Sequence, residues 1–142
     1  MTLQLPIGQA ATHSGVKIPT IRYYEEIGLL TAPPRTDGNR RLYGDADLKR
    51  LAFIRHAREL GFEVDAIRTL LSLQDNPDQS CSSADAIAQA RLIDVRDRIA
   101  RLRALERELE RMAETCAHGH VADCHVIEIL SDPTHSHGRL AD

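Results

Sequence analysis

One stretch constrains this chain more than any other. From Ser82 to Cys116 there is no proline or glycine, and Val95, Ile99, Leu102, Leu105, Leu109, Met112 and Cys116 follow one another in steps of four and three. That is the spacing of a coiled-coil seam, and Arg and Glu fill much of the rest of the helix surface. At about 1.5 Å per residue, about 35 residues span about 50 Å. The helix either packs on its own domain or needs a partner, and little else in a chain of 142 residues can cover that length. A partner helix is therefore expected, and a second copy of the chain is the simplest one. Periodicity does not decide whether the two helices run parallel or antiparallel.

Upstream of this helix the pattern is short and punctuated. A helical stretch over Ile7–His13, a turn at Ser14-Gly15-Val16 and a second helix from about Pro19 to Ile27, stopped by Gly28, read as a helix-turn-helix. Pro33-Pro34 breaks the chain, and Asp37-Gly38-Asn39 predicts a hairpin between extended pieces at Arg35 and at Leu42-Tyr43, which would form a wing. A third helix opens at Gly44-Asp45-Ala46-Asp47 and stops at Gly61, and a fourth runs from Val64 to Leu73. Asp75-Asn76-Pro77-Asp78 reads as a linker, and Ser82-Ser83-Ala84-Asp85 predicts a capping box for the long helix. The expected architecture is mainly α. A winged helix-turn-helix domain covers residues 1–74 and a linker 75–81. A dimerisation helix follows over 82–116, then a metal-binding loop, a short helix and a His-containing tail over 117–142.

Charge separates the two halves. Residues 1–74 carry ten Lys/Arg against eight Asp/Glu, whereas residues 75–142 carry eight against thirteen. The basic half also holds all five aromatics, Tyr23, Tyr24, Tyr43, Phe53 and Phe62. This asymmetry suggests an end that faces nucleic acid and an end with another task. Two-helix units also serve as plain packing motifs, but the flanking chemistry favours DNA. Arg22, Tyr23 and Tyr24 lie in the second helix, and Arg35, Arg40, Arg41 and Tyr43 frame the hairpin. Guanidinium and phenol groups hold phosphates and fix register, and Thr20 and Arg22 near the helix start are candidates to read base edges. Neither a leader nor a membrane-length apolar run is visible, so a cytoplasmic protein without membrane partners is expected.

The acidic half contains the segment CAHGHVADCH. Cys116 and Cys124 bracket a loop carrying His118 and His120, and thiolates with imidazoles on a short loop suit zinc and its neighbours. The bland alternative is Cys116 as core filler beside a solvated histidine loop. His135 and His137 fall in a polar tail that reads as a disordered end, outside the ligand set. Three cysteines are too few for an iron-sulfur site of closely spaced thiolates. Without a glycine-rich phosphate loop, an HExxH helix or a positioned carboxylate, an enzyme is not expected.

The segments IGQAATHSGVKIPTIRYYEEIGLL and RRLYGDADLKRLAFIRHARELGF, together with the long helix, resemble the MerR family of bacterial transcription regulators over nearly the whole chain. The resemblance implies a homodimer with antiparallel dimerisation helices, bound to promoter DNA and working with RNA polymerase. It implies repression without metal and activation with metal through distortion of the promoter. Lys17 stands where the family usually has a capping Ser or Thr, which suggests a phosphate contact, and Arg40 takes a wing position that is often aromatic. Antiparallel helices would bring Cys81 from the partner subunit beside Cys116 and Cys124. A cysteine at the Cys81 position is similar to the divalent sensors of the family, whereas monovalent copper, silver and gold sensors usually have serine. The spacing of Cys116 and Cys124 resembles the copper branch, and the second adjacent cysteine common in zinc sensors is missing, so His118 or His120 would replace it. Zn(II) is the implied ion, controlling metal efflux or resistance genes. Cd(II), Pb(II), Hg(II) and Cu(I) sensing are the alternatives.

Overall fold

The computed structural model describes residues 3–114, 119–121 and 124–140, and they form two compact units, Met1–Ala88 and Gln89–Asp142. In the first unit, β1 (Gln4–Leu5) leads into α1 (Ile7–Ser14). Gly15 ends that helix at φ 74°, with its N–H on the Ala11 carbonyl. A residue with a Cβ is strained in this left-handed conformation, which is why the turn needs glycine. α2 (Ile18–Glu26) follows with Lys17 as its N-cap, and no side chain caps it. Pro19 in the first turn costs nothing there, since its missing N–H would have had no helical partner. Gly28, at φ 82°, closes the unit, and the N–H groups of Leu29 and Leu30 both return to the Tyr24 carbonyl.

The wing is a tight hairpin. Arg35 and Arg41 pair across it, Thr36 N–H donates to the Arg40 carbonyl, and Asn39 takes positive φ at the tip. Tyr43 does not continue this pairing. Tyr43–Gly44 form β2, which is antiparallel to β1 with Leu5 opposite Tyr43. The strand at residues 4–5 is too short to register as a sequence pattern, and the expectation that Leu42-Tyr43 simply extends the wing is corrected by it.

α3 (Asp45–Glu59) starts where Asp47 reaches back to the Gly44 N–H at 2.9 Å. α4 (Val64–Gln74) completes the unit. Ile21, Leu29, Leu51, Ile54, Ile67 and Leu71 are all buried in one core, each stabilising the fold by about 1.5–3 kcal/mol. The expected linker is stitched to the helices before it: Asp75 pairs with Arg50, and Asn76 Nδ2 donates to the Ser72 carbonyl at 2.8 Å.

α5 (Ser82–Glu114) is the long helix. It begins one residue earlier than a Ser82 cap requires. The Cys81 carbonyl accepts the first helical bond from Asp85, and Ser80 Oγ takes the Ser82 N–H, so the expected Ser82–Asp85 capping box is replaced. Along the seam Ile99, Leu102 and Leu109 are exposed, the last two at 55% and 53%, as is Leu92 one step before it, while Met112 is buried. α6 (His125–Ser131) follows Cys124, and the tail of the second unit returns to α5, where His137 meets Glu108. No helix among the described residues is long and apolar enough to cross a membrane.

Candidate functional site

The α1–turn–α2 unit presents one face to solvent and one to the core. Ile21 and Tyr24, three residues apart, point inward, whereas Lys17, Arg22 and Tyr23 are exposed and Thr20 is half-buried. The exposed set lies on the N-terminal half and outer face of α2, where a helix can approach a major groove. Arg35 and Arg40 are exposed on the wing, although Arg35 Nη1 is already engaged by the Asn39 carbonyl at 3.2 Å.

Two of the expected DNA contacts have their rings in the core: Tyr43 is fully buried and Tyr24 is 7% exposed. The Tyr43 hydroxyl donates to Glu25, and the other oxygen of that carboxylate accepts from Arg41 Nη1 at 3.1 Å. Glu25 lies in the last turn of α2, Arg41 is on the wing and Tyr43 is in β2, so one buried carboxylate ties α2 to the wing. Burial pushes the Tyr43 hydroxyl pKa up, and the hydrogen bond to Glu25 and its negative charge raise it further. Burial also raises that of Tyr24, against the opposing charge of Arg58. Arg41 therefore has a structural partner in Glu25.

Two further arginines join α2 to the helices behind it. Arg50 Nε donates to the Leu29 carbonyl at 3.0 Å while its Nη1 holds Asp75, and Arg68 Nη2 donates to the Ile27 carbonyl at 2.8 Å. They satisfy carbonyls just beyond the end of α2, a recurrent use of Arg. Sequence reasoning missed Glu25, Arg50 and Arg68, because nothing in local spacing says which carbonyl or wing residue a charge will find.

The candidate metal ligands are divided. Cys81 is an exposed thiol immediately before α5, Cys124 is half-buried at the start of α6, and His120 is exposed. Cys116 and His118 lie outside the described residues. As a donor set, thiols on accessible positions with an imidazole nearby in sequence fit a soft or borderline ion.

Residues 5–74 match the family described as MerR HTH family regulatory protein, and residues 48–112 match that described as MerR, DNA binding. The HTH-type transcriptional regulator ZntR of Escherichia coli is 43% identical over 128 residues, covering 87% of this chain and 90% of that protein. The chain belongs to the MerR family. Its MerR relatives include the Heavy metal-dependent transcription regulator 2 of Rhizobium meliloti, 37% identical over 126 residues, covering 89% of this chain and 86% of that one. Among solved structures, the regulator PbrR691 from Ralstonia metallidurans in complex with lead(II) is 37% identical with a TM-score of 0.76, covering 89% of this chain and 98% of that one. This MerR protein is a DNA-binding transcription regulator and not an enzyme.

Proposed function

We propose that this MerR-type, metal-responsive transcriptional regulator acts as a homodimer in the cytoplasm, repressing a promoter without metal and activating it when a divalent ion, Zn(II) first, is bound. The observation that carries the reading is α5, whose seam leaves Ile99, Leu102 and Leu109 exposed, with Cys81 before one end and Cys116 and Cys124 beyond the other. A second copy lying antiparallel along that seam would bring the partner's Cys81 to Cys116 and Cys124, with His118 or His120 as a nitrogen donor. Ligands from both subunits must lose their protons and converge to hold the ion, so metal binding and dimer geometry become one equilibrium. Three thiolates and an imidazole suit Zn(II) and Cd(II), and Pb(II) is supported by the lead-bound relative. Cu(I) needs only two sulfurs in line.

On DNA, Lys17, Thr20, Arg22 and Tyr23 enter or flank the major groove, and Arg35, Arg40 and Arg41 hold backbone phosphates through the wing. Glu25, with Arg41 and Tyr43, sets the angle between the two. Metal-driven change in the dimer distorts the promoter so that RNA polymerase can use it, and the genes controlled are those of metal efflux or resistance.

The test is to titrate the reduced protein with zinc, cadmium, lead and copper(I) under competing chelators while following open-complex formation on its own promoter. Zinc is expected to switch transcription, and Cys81→Ser is expected to bind the promoter yet fail to activate. Switching by copper(I) alone overturns the divalent reading, and a normal zinc response in Cys81→Ser overturns the shared site.

A further inference from the structure

The tail at residues 132–140 is not a loose end. Asp132 Oδ1 accepts both the Thr134 N–H at 2.9 Å and its hydroxyl at 2.7 Å, and His135 N–H returns to the Asp132 carbonyl. This turn brings the rings of His135 and His137 together edge to face, 4.5 Å between centroids. Both rings approach Glu108 of α5, whose side chain is only 13% exposed. One ligand atom from each of Glu108, His135 and His137 lies within 4.8 Å of the other two.

We propose that Glu108, His135 and His137 form a second metal site, built within one subunit and free of sulfur, for a borderline divalent cation of the zinc, cobalt and nickel class. The spacing of Glu108 and His137 suits it. Metal–nitrogen and metal–oxygen bonds of about 2.0–2.1 Å at a tetrahedral centre put neighbouring ligand atoms about 3.3–3.4 Å apart. His137 Nδ1 and Glu108 Oε1 are 3.4 Å apart before any ion is present. Oε2 of the same carboxylate is held by Arg111, which orients Glu108 and leaves Oε1 to face the imidazoles. Two nitrogens, one carboxylate oxygen and a water complete four-coordination with a donor set that favours borderline over soft ions. Cysteine-seeking ions such as Hg(II) or Cu(I) would pass it by.

The consequence is a clip between α5 and the tail. Residues 109–134, which include the Cys116–Cys124 loop and α6, lie between the two anchor points, so occupancy restrains the segment that carries the thiolates. The clip needs no second subunit, and its existence does not depend on the thiolate site being the sensor.

The experiment uses the untagged full-length protein and Co(II) as probe, followed by equilibrium dialysis and visible absorption. In the triple variant Cys81→Ser, Cys116→Ser, Cys124→Ser, one Co(II) per chain is expected to remain, with ligand-field bands and no thiolate-to-metal charge transfer. Adding His135→Ala and His137→Ala should abolish it, and Glu108→Gln should weaken it. In the protein with all cysteines intact, the same two histidine substitutions should lower the zinc stoichiometry by one per chain while leaving helicity unchanged. A triple variant that binds no cobalt, or an intact-cysteine protein whose zinc count ignores the histidine substitutions, overturns the site and leaves His137–Glu108 as an ion pair only.

Discussion

Replacing Glu25 with alanine should loosen the wing from the reading helix at a cost that can be worked from its surroundings. The carboxylate side chain is 7% exposed and accepts from Arg41 and from Tyr43. Arg41 is 36% exposed, so after the substitution water takes over much of its pairing, and its share is small. Tyr43 has no exposed surface, so its hydroxyl is left as a buried donor without an acceptor, which costs about 1–3 kcal/mol. With a remnant of up to about 1 kcal/mol from Arg41, a loss of about 1–4 kcal/mol is expected, inside the stability of about 5–15 kcal/mol of an ordinary domain. Tyr43→Phe takes one donor from the buried Glu25 carboxylate and leaves Arg41 to hold it, so it should cost about 1.5–3 kcal/mol, the worth of a hydrogen bond to a charged group. Urea unfolding of both single variants and the double variant, at one protein concentration, isolates the pair. A coupling of about 1–2 kcal/mol is expected, and additivity within about 0.5 kcal/mol would mean that the two groups do not interact. The same Glu25→Ala protein should bind promoter DNA with a shallower salt dependence, because a free wing holds fewer phosphates. A full slope with a lowered midpoint would refute the idea that the carboxylate positions the wing.

Three other outcomes are expected. Arg22→Ala or Arg40→Ala should leave unfolding unchanged, since both are exposed, while the slope of log affinity against log salt falls by about 0.9 for each phosphate that is no longer neutralised. Leu102→Asp should turn the proposed dimer into monomers in sedimentation, because it puts charge into an apolar hollow lined with Leu105, Leu109 and Ala113. At high pH the folded Tyr43 keeps its proton above the ordinary tyrosine value of 10.0, where an unfolded tyrosine gives it up. Its contribution to stability is thus intact below about pH 10 and declines as pH rises beyond it. Urea midpoints should fall more steeply above about pH 10 in the parent protein than in Tyr43→Phe, and parallel curves would contradict the burial argument.

Much of the regular structure was legible because it is written in local chemistry. The glycines that stop α1, α2 and α3 do so in the left-handed region, at Gly15, Gly28 and Gly61, and no long-range contact is needed to foresee that. The seam of α5 was equally plain from the steps of its leucines. Lys17, Arg22, Arg35 and Arg40 are exposed, and a solvated cation depends little on what lies across the fold. The tyrosines were not legible in the same way. Tyr23 and Tyr24 are adjacent and chemically identical, yet one is 49% exposed and the other 7%, because a helix turns about 100° between them and only docking decides which direction is inward. Tyr43 reads as one more phenol on a basic wing until β1 is seen to pair with it.

The sequence by itself determined the helices, their stops, the family to which they belong and the ligand types available at both ends of α5, since each is a property of spacing or side-chain chemistry. Only the tertiary structure decided that Glu25 ties α2 to the wing, that Arg50 and Arg68 cap the carbonyls behind it, and that a polar tail folds His135 and His137 onto Glu108. These are meetings of residues far apart in the chain. Loop closure and burial govern them, and neither leaves a periodic trace in the sequence.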